Sequence, residues 1–370
     1  MRGSARKMSK MGAVGAVAVS ATLLLAACGG SSSSAPAELD PNADLTKQSL
    51  TVSNWAGYYP EDLPAKVQAA IGTPLTIANH ATNEEIMGKL TAGGDSGIDV
   101  AFVSGQYAQA LNDAGLLEPM HPDLIPNLKN LSPEATQMAF DNGNVFSVPY
   151  TWGTTGICYR SDLVSKAPDS WNDILKPADE NKGKITALAT ERWLLLPALK
   201  SLGYSINTTD DAQLQEAKDL LIAAKPNLLA YDDTTFYSRL ISGEATMAVA
   251  WDGWCNYGIA EDPNIKFVIP KEGSDLWSDT MVVLKSSKNK EAAQAFINFI
   301  LDPANHAWVA ENILYKVPNK AAMDQVGAEL AKAYPNMGMS PADLLKQEVV
   351  VDVGVDSSKY TKVATEVTSN

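Results

Sequence analysis

From Leu50 onward the chain alternates short apolar runs with segments of helical period, and this alternation sets the fold class. Leu50 to Asn54 reads as a strand that breaks at Gly57, and Glu61 to Ile71 carries its apolar residues at helical spacing. Leu75 to Ala78 is a second strand, Asn83 to Leu90 a helix, and Ile98 to Val103 a third strand bounded by Gly97 and Gly105. The pattern resumes after Tyr150. Ile157 to Tyr159, Ile185 to Leu188, Met247 to Trp251, Phe267 to Ile269 and Met281 to Leu284 read as strands. Helices are expected at Trp171 to Leu175, Trp193 to Leu202, Ala212 to Ala224, Asn289 to Leu301 and Ala304 to Asn312. Such alternation implies an α/β fold with largely parallel sheets, whose ligand site lies beyond the carboxyl ends of the strands.

The segment before this body reads as an address. Arg2, Arg6, Lys7 and Lys10 precede an uncharged run from Met11 to Ala27, too short and too rich in Ala and Gly for a membrane span. It ends in Leu25-Ala26-Ala27-Cys28-Gly29, which resembles the lipobox of bacterial lipoproteins. That resemblance implies a signal peptide over 1–27, cleavage before Cys28 and a lipid on its thiol. Gly29-Gly30, four serines and a Pro/Ala/Asp stretch then form a flexible tether, 28–48, that holds a folded body to a membrane. Cleavage removes four basic residues and no acidic one, so the formal charge of −14 becomes more negative by four. A surface that acidic repels phosphate backbones and argues against nucleic acid as a partner.

About 320 residues lie beyond the tether, long for one core and comfortable for two lobes. Cys158 and Cys255 are the cysteines left after Cys28. An exported chain suits a disulfide, but the sequence leaves open whether these two come within bonding distance.

Nine stretches follow one another in an order that resembles the polyamine-binding branch of the bacterial extracellular solute-binding proteins, from Leu50 to about Lys362. They are Asn54-Trp55-Ala56-Gly57-Tyr58, Pro149-Tyr150-Thr151-Trp152-Gly153, Ser170-Trp171, Leu202-Gly203-Tyr204-Ser205 with Asn207-Thr208-Thr209-Asp210, Trp251-Asp252-Gly253 and Pro270-Lys271-Glu272-Gly273. Trp277-Ser278-Asp279, Asn289-Lys290-Glu291-Ala292-Ala293, and Tyr315 with Pro318-Asn319 complete the set. The resemblance implies a two-lobed periplasmic-binding-protein fold of type II, each lobe a mostly parallel sheet flanked by helices, with a hinge between. Lobe 1 is expected at 49–155 plus 278–322 and lobe 2 at 156–277 plus 323–366. It further implies aromatic walls at Trp55, Tyr58 and Trp251, an aromatic packing on ligand methylenes at Trp277, an amine-binding carboxylate at Asp279, and Tyr315 near the same cleft. The implied protein is a monomeric substrate-binding lipoprotein of an ABC importer. It captures a small organic cation such as spermidine or putrescine and hands it to a membrane permease. Two departures stand out. Thr190 and Trp193, with Glu191 between, occupy positions where the family usually carries two carboxylates, and Val350 replaces a glutamine.

The residue types suit a cation site independently of the resemblance. An organic cation leaving water needs carboxylates, the faces of aromatic rings, or both. Trp55, Trp251 and Trp277 sit beside Gly or Asp at expected strand ends and are assigned to the cleft; Trp171 and Trp308, on amphipathic helices, are assigned to the core. Trp193 and Trp254 stand evenly between these roles, while Asp233 and Asp252 are candidate replacements for the missing carboxylates. Enzymatic chemistry finds little footing. His80, His121 and His306 are the three histidines and form no H-E-x-x-H pair, so neither a metal nor a cofactor is expected. Gly94-Asp95-Ser96-Gly97 resembles a serine-protease nucleophile segment but lies in an expected loop of an α/β pattern. The competing assignments are a receptor for a betaine- or choline-like monocation, favoured by Trp193 and the lost acids, and an exported lipoprotein enzyme.

Overall fold

Two mixed sheets organise the computed structural model, which describes residues 38–369. The first contains β1 (Leu50–Trp55), β2 (Leu75–His80), β3 (Val100–Ser104), β4 (Leu117–Glu118) and β5 (Val148–Gly153). The second contains β6 (Thr155–Arg160), β7 (Ile185–Ala187), β8 (Ala230–Tyr231), β9 (Met247–Trp251) and β10 (Ile265–Val268). The chain then returns to the first sheet with β11 (Asp275–Leu284) and β12 (Glu348–Val349). The first sheet runs β12-β11-β3-β1-β2, with β4 and β5 also paired to β11; the second runs β10-β6-β9-β7-β8. Parallel pairing joins β1 to β2 and β3, and β7 to β8 and β9. The antiparallel strands are those that return along a sheet: β11 against β3, β4 and β5, and β6 against β9 and β10.

Burial explains which runs became central strands. All five residues of β3 and all six of β5 are buried, so both strands are covered on both faces; β3 accordingly reads as a continuous apolar run. Helices on the faces supply the cover. The helix Lys290–Ile300 buries Ala292, Ala293, Phe296, Ile297, Phe299 and Ile300 along one stripe. In the second lobe Glu191–Ser201 and Asp211–Ala224 pack together, and the C-terminal helix Ser357–Ser369 packs on both.

The chain passes between the sheets three times: through Thr154 between β5 and β6, over 269–274 between β10 and β11, and over 350–356 before the last helix. Asp275 at the start of β11 lies in the first sheet, three residues before position 278, and the helix Lys320–Ala333 runs unbroken across position 323. Residues 45–48, within the stretch assigned to the tether, are folded against the first lobe. Gln48 Oε1 accepts the Ala292 N–H at 3.0 Å, and the Leu45 carbonyl accepts from Thr73 Oγ1 at 2.9 Å. The signal peptide and Cys28 lie outside the described residues. Cys158 of β6 and Cys255 of the helix Asp252–Glu261 form a disulfide, with Cα atoms 5.8 Å apart.

Candidate functional site

The return of β11 brings Asp279 to the carboxyl ends of the first sheet. Antiparallel pairing sets Asp279 opposite Ser104, the last residue of β3, and opposite Thr151 of β5. The β5–β11 register shifts between Asp279 and Thr280, where the partner is Pro149, a residue with no N–H for the ladder. An irregularity of this kind re-aims the side chain beside it. Ser104 Oγ donates to Asp279 Oδ1 at 2.6 Å and Tyr58 OH donates to Oδ2 at 2.8 Å; Thr151 Oγ1 donates in turn to Tyr58 at 2.5 Å. Burial pushes the Asp279 carboxyl above the usual carboxylate range, and the two hydroxyls oppose this. A carboxylate has about four lone-pair positions, of which two are used here. No basic side chain among the described residues pairs with it.

A cluster of aromatic rings extends from the Tyr58 that holds this carboxylate. The Tyr58 ring meets Tyr315 edge-on at 4.9 Å and Trp55 at 5.6 Å, and Tyr315 meets Trp277 at 5.8 Å. Trp277 lies opposite Gly153 in the register. A Cβ at Gly153 would fall 2.4 Å from the Trp277 ring and 2.3 Å from Asp252 Oδ1, so only glycine lets these groups converge. The Trp277 indole nitrogen is buried without a partner.

The second sheet contributes from the ends of its parallel strands. Trp251 ends β9 and meets Trp193 edge-on at 5.6 Å. The Trp193 indole N–H donates to Asp275 Oδ2 at 2.7 Å. Asp275, fully buried, also accepts from the Thr155 N–H at 2.7 Å and from Thr155 Oγ1 at 3.1 Å; burial raises its carboxyl and these donors oppose the shift. Asp252 opens the helix that follows β9 and accepts the Gly253 N–H at 2.8 Å. Burial raises its carboxyl to about 7 against the pull of the Lys316 charge, and burial lowers the Lys316 ammonium to about 8. Lys316 donates to the Met339 carbonyl. Asp233 lies apart, at the end of edge strand β8, accepting from the Ala189 N–H at 2.7 Å and Thr190 Oγ1 at 3.1 Å.

Trp55, Tyr58, Tyr315 and Trp277 therefore form one ring cluster that is tied to Asp279 through the Tyr58 hydroxyl, with Trp251, Trp193 and Asp252 at the adjoining strand ends. Ser104, Thr151, Gly153, Asp275 and Lys316 were not singled out by sequence. Asp275 carried the clearest signal, an acid two residues before Trp277 on the same strand face. Trp171 is fully buried, and Trp308 is half-buried with the Lys66 ammonium 4.6 Å from its ring.

The segment that resembles a nucleophile is a turn before β3, in which Asp95 Oδ1 accepts the Gly97 N–H at 2.9 Å and Ser96 Oγ accepts that of Ile98 at 3.3 Å. His80 is bonded to Ser53 and His306 to the Tyr150 carbonyl, both at 2.9 Å, and burial lowers each imidazole to about 4. Among the described residues no group of His, Cys, Asp and Glu is placed to hold a metal ion.

The profile of the bacterial extracellular solute-binding proteins matches residues 64–338. The chain belongs to that family. This solute-binding protein is 32% identical to the spermidine/putrescine-binding periplasmic protein of Escherichia coli (strain K12), over 83% of its own length and 88% of the relative's. The spermidine/putrescine ABC transporter substrate-binding protein PotD of Streptococcus pneumoniae superposes with a TM-score of 0.74 at 31% identity, covering 86% of this chain and 98% of that one. The TpPotD lipoprotein of Treponema pallidum gives a TM-score of 0.78 at 26% identity, covering 87% and 100%. In this solute-binding protein the Asp279 cluster occupies the carboxyl ends of the parallel strands, the place where open α/β sheets bind ligands.

Proposed function

We propose that this solute-binding protein captures a small organic cation, a polyamine such as putrescine or spermidine, and delivers it to the permease subunits of an ABC importer. The observation that carries the reading is Asp279, a carboxylate held by two neutral hydroxyls, without a basic partner among the described residues, beside a cluster of Trp and Tyr rings. A buried charge is retained without a resident counter-ion where a ligand supplies one. Aromatic faces attract the same ammonium and pack on its methylenes. Its similarity to polyamine receptors supports the same ligand class.

In this reading the protein is exported and monomeric, catalyses nothing, and is anchored by lipid at Cys28. Two lobes, one built on each sheet, close on the ligand by a hinge motion; the bounds 277/278 and 322/323 expected from sequence cut through β11 and the helix Lys320–Ala333 and give way to the sheet boundaries. A betaine- or choline-like monocation is the second reading, favoured by the Trp193–Trp251 ring pair. Mass spectrometry of small molecules released from the purified protein, followed by calorimetry with putrescine, spermidine and choline, decides between them. Saturable turnover of any of these amines would instead establish an enzyme. For the anchor, Cys28→Ser is expected to release the protein from the membrane fraction; a lipid-free Cys28 in the unmutated protein would reject it.

A further inference from the structure

Three carboxylates stand near the ring cluster and a fourth, Asp233, lies apart past the end of β8; they differ in what already occupies them. Asp275 is fully buried and takes the Thr155 N–H, Thr155 Oγ1 and the Trp193 indole N–H, leaving little capacity for an ammonium. Asp252 has the Gly253 amide and the opposing charge of Lys316. Asp233 has no ion-pair partner among the described residues, but it is held at the entry of the helix Glu191–Ser201 by Ala189 and Thr190. Asp279 alone combines partial exposure, a neighbouring aromatic cluster and no cationic partner among the described residues.

The topology orders these groups along one edge of the second sheet. Because β9, β7 and β8 are parallel neighbours, their carboxyl ends lie side by side. Trp251 ends β9, the helix bearing Trp193 follows β7, and Asp233 follows β8. Two strand spacings, about 10 Å, separate the ends of β9 and β8. Trp193 stands between them, buried, with its ring against Trp251 and its N–H on Asp275.

We propose that Trp193, positioned by Asp275, is the length gate of the site. It ends the ligand channel at Trp251, so that the cleft takes a short amine whose ammonium sits on Asp279 and excludes a longer one that would carry a further ammonium to Asp233. This selectivity rests on the amine-binding reading above and adds to it. Trp193 does two things at once: its ring fills the space beside Trp251, and its N–H occupies one oxygen of Asp275.

Calorimetry on the full chain with putrescine and spermidine tests it. The unmutated protein is expected to bind putrescine at least tenfold tighter than spermidine. Trp193→Ala, which removes the ring and its bond to Asp275, is expected to shift the ratio of spermidine to putrescine affinity at least tenfold toward spermidine, and adding Asp233→Asn is expected to reverse that shift. A merely structural Trp193 would weaken both amines by the same factor, which overturns the gate. Unmutated protein that binds spermidine as tightly as putrescine overturns the gate and leaves the amine reading standing. A folded protein that binds neither overturns both. If Trp193→Ala does not fold, Trp193→Leu carries the same comparison.

Discussion

On the proposed reading Asp279 serves a ligand rather than the fold: its two partners are neutral hydroxyls, which can both donate and accept. Asp279→Asn keeps the shape, removes the charge and is expected to weaken binding of a cationic ligand at least about a hundredfold, since removing one partner of a buried pair costs about 3–5 kcal/mol. Trp277→Leu is expected to cost less, because an apolar wall remains and the ring's attraction for the cation is roughly 0.5–2 kcal/mol. Calorimetry ranks the two; an Asp279→Asn protein within about threefold of the parent would place the carboxylate outside the site. The same group sets a pH dependence. Its carboxyl is raised by burial, so it loses its charge at a pH above the ordinary carboxylate range, while the amine remains protonated. Amine affinity is therefore expected to be level at alkaline pH and then fall by about tenfold per unit below the raised value. Titration by calorimetry from pH 8 down to pH 4.5 checks this, with Asp279→Asn as the control that should show a flatter profile.

At the scale of elements, the disulfide fixes the helix Asp252–Glu261 to β6, and that helix begins with Asp252 directly after Trp251. It closes a span of 97 residues, and a bridge of this kind typically contributes roughly 2–4 kcal/mol of stabilisation. The double substitution Cys158→Ala, Cys255→Ala is expected to lower stability by that amount in chemical denaturation, and an unchanged midpoint would show that the bridge contributes nothing. Strands β1, β3 and β9 were legible because each is a continuous or alternating apolar run bounded by turn residues. Strand β5 was not, because Pro149 and Gly153 argue against a central strand. Its long pairing with β11 overrides that local preference: Pro149 falls at the register shift, and Gly153 is where the Trp277 ring and Asp252 converge. Within the site, Asp279 was visible through its motif. The partnership of Asp275 with Trp193 was not, because the two lie 82 residues apart and meet only when β11 joins the cleft.

For the whole molecule, function and stability pull in opposite directions at the cleft. Desolvation raises the carboxyls of Asp279, which is partly exposed, and of the buried Asp275 and Asp252 above their ordinary value. A carboxyl whose pKa is raised on folding favours the native state when protonated, and that contribution is lost as pH rises through the folded value. At neutral pH the ionised Asp279 is therefore a cost that the ligand-free protein bears. Asp279→Asn removes the charge while Ser104 and Tyr58 can reorient, so the ligand-free variant is expected to be as stable as the parent or more stable by about 1 kcal/mol, in the range that activity–stability trade-offs allow. The ligand repays the cost: at a concentration one hundred times Kd it stabilises the parent by about 2.7 kcal/mol, a rise of several degrees in Tm. Thermal denaturation at neutral pH, with and without amine, separates the two effects. The parent should show the ligand-induced rise and the variant should lose it from an equal or higher starting Tm. If the ligand-free variant instead melts well below the parent, by more than about 2 kcal/mol, which is the size of leaving a buried donor unsatisfied, Asp279 holds the ends of β3 and β5 together and its lack of a cationic partner among the described residues is not a vacancy kept for the ligand.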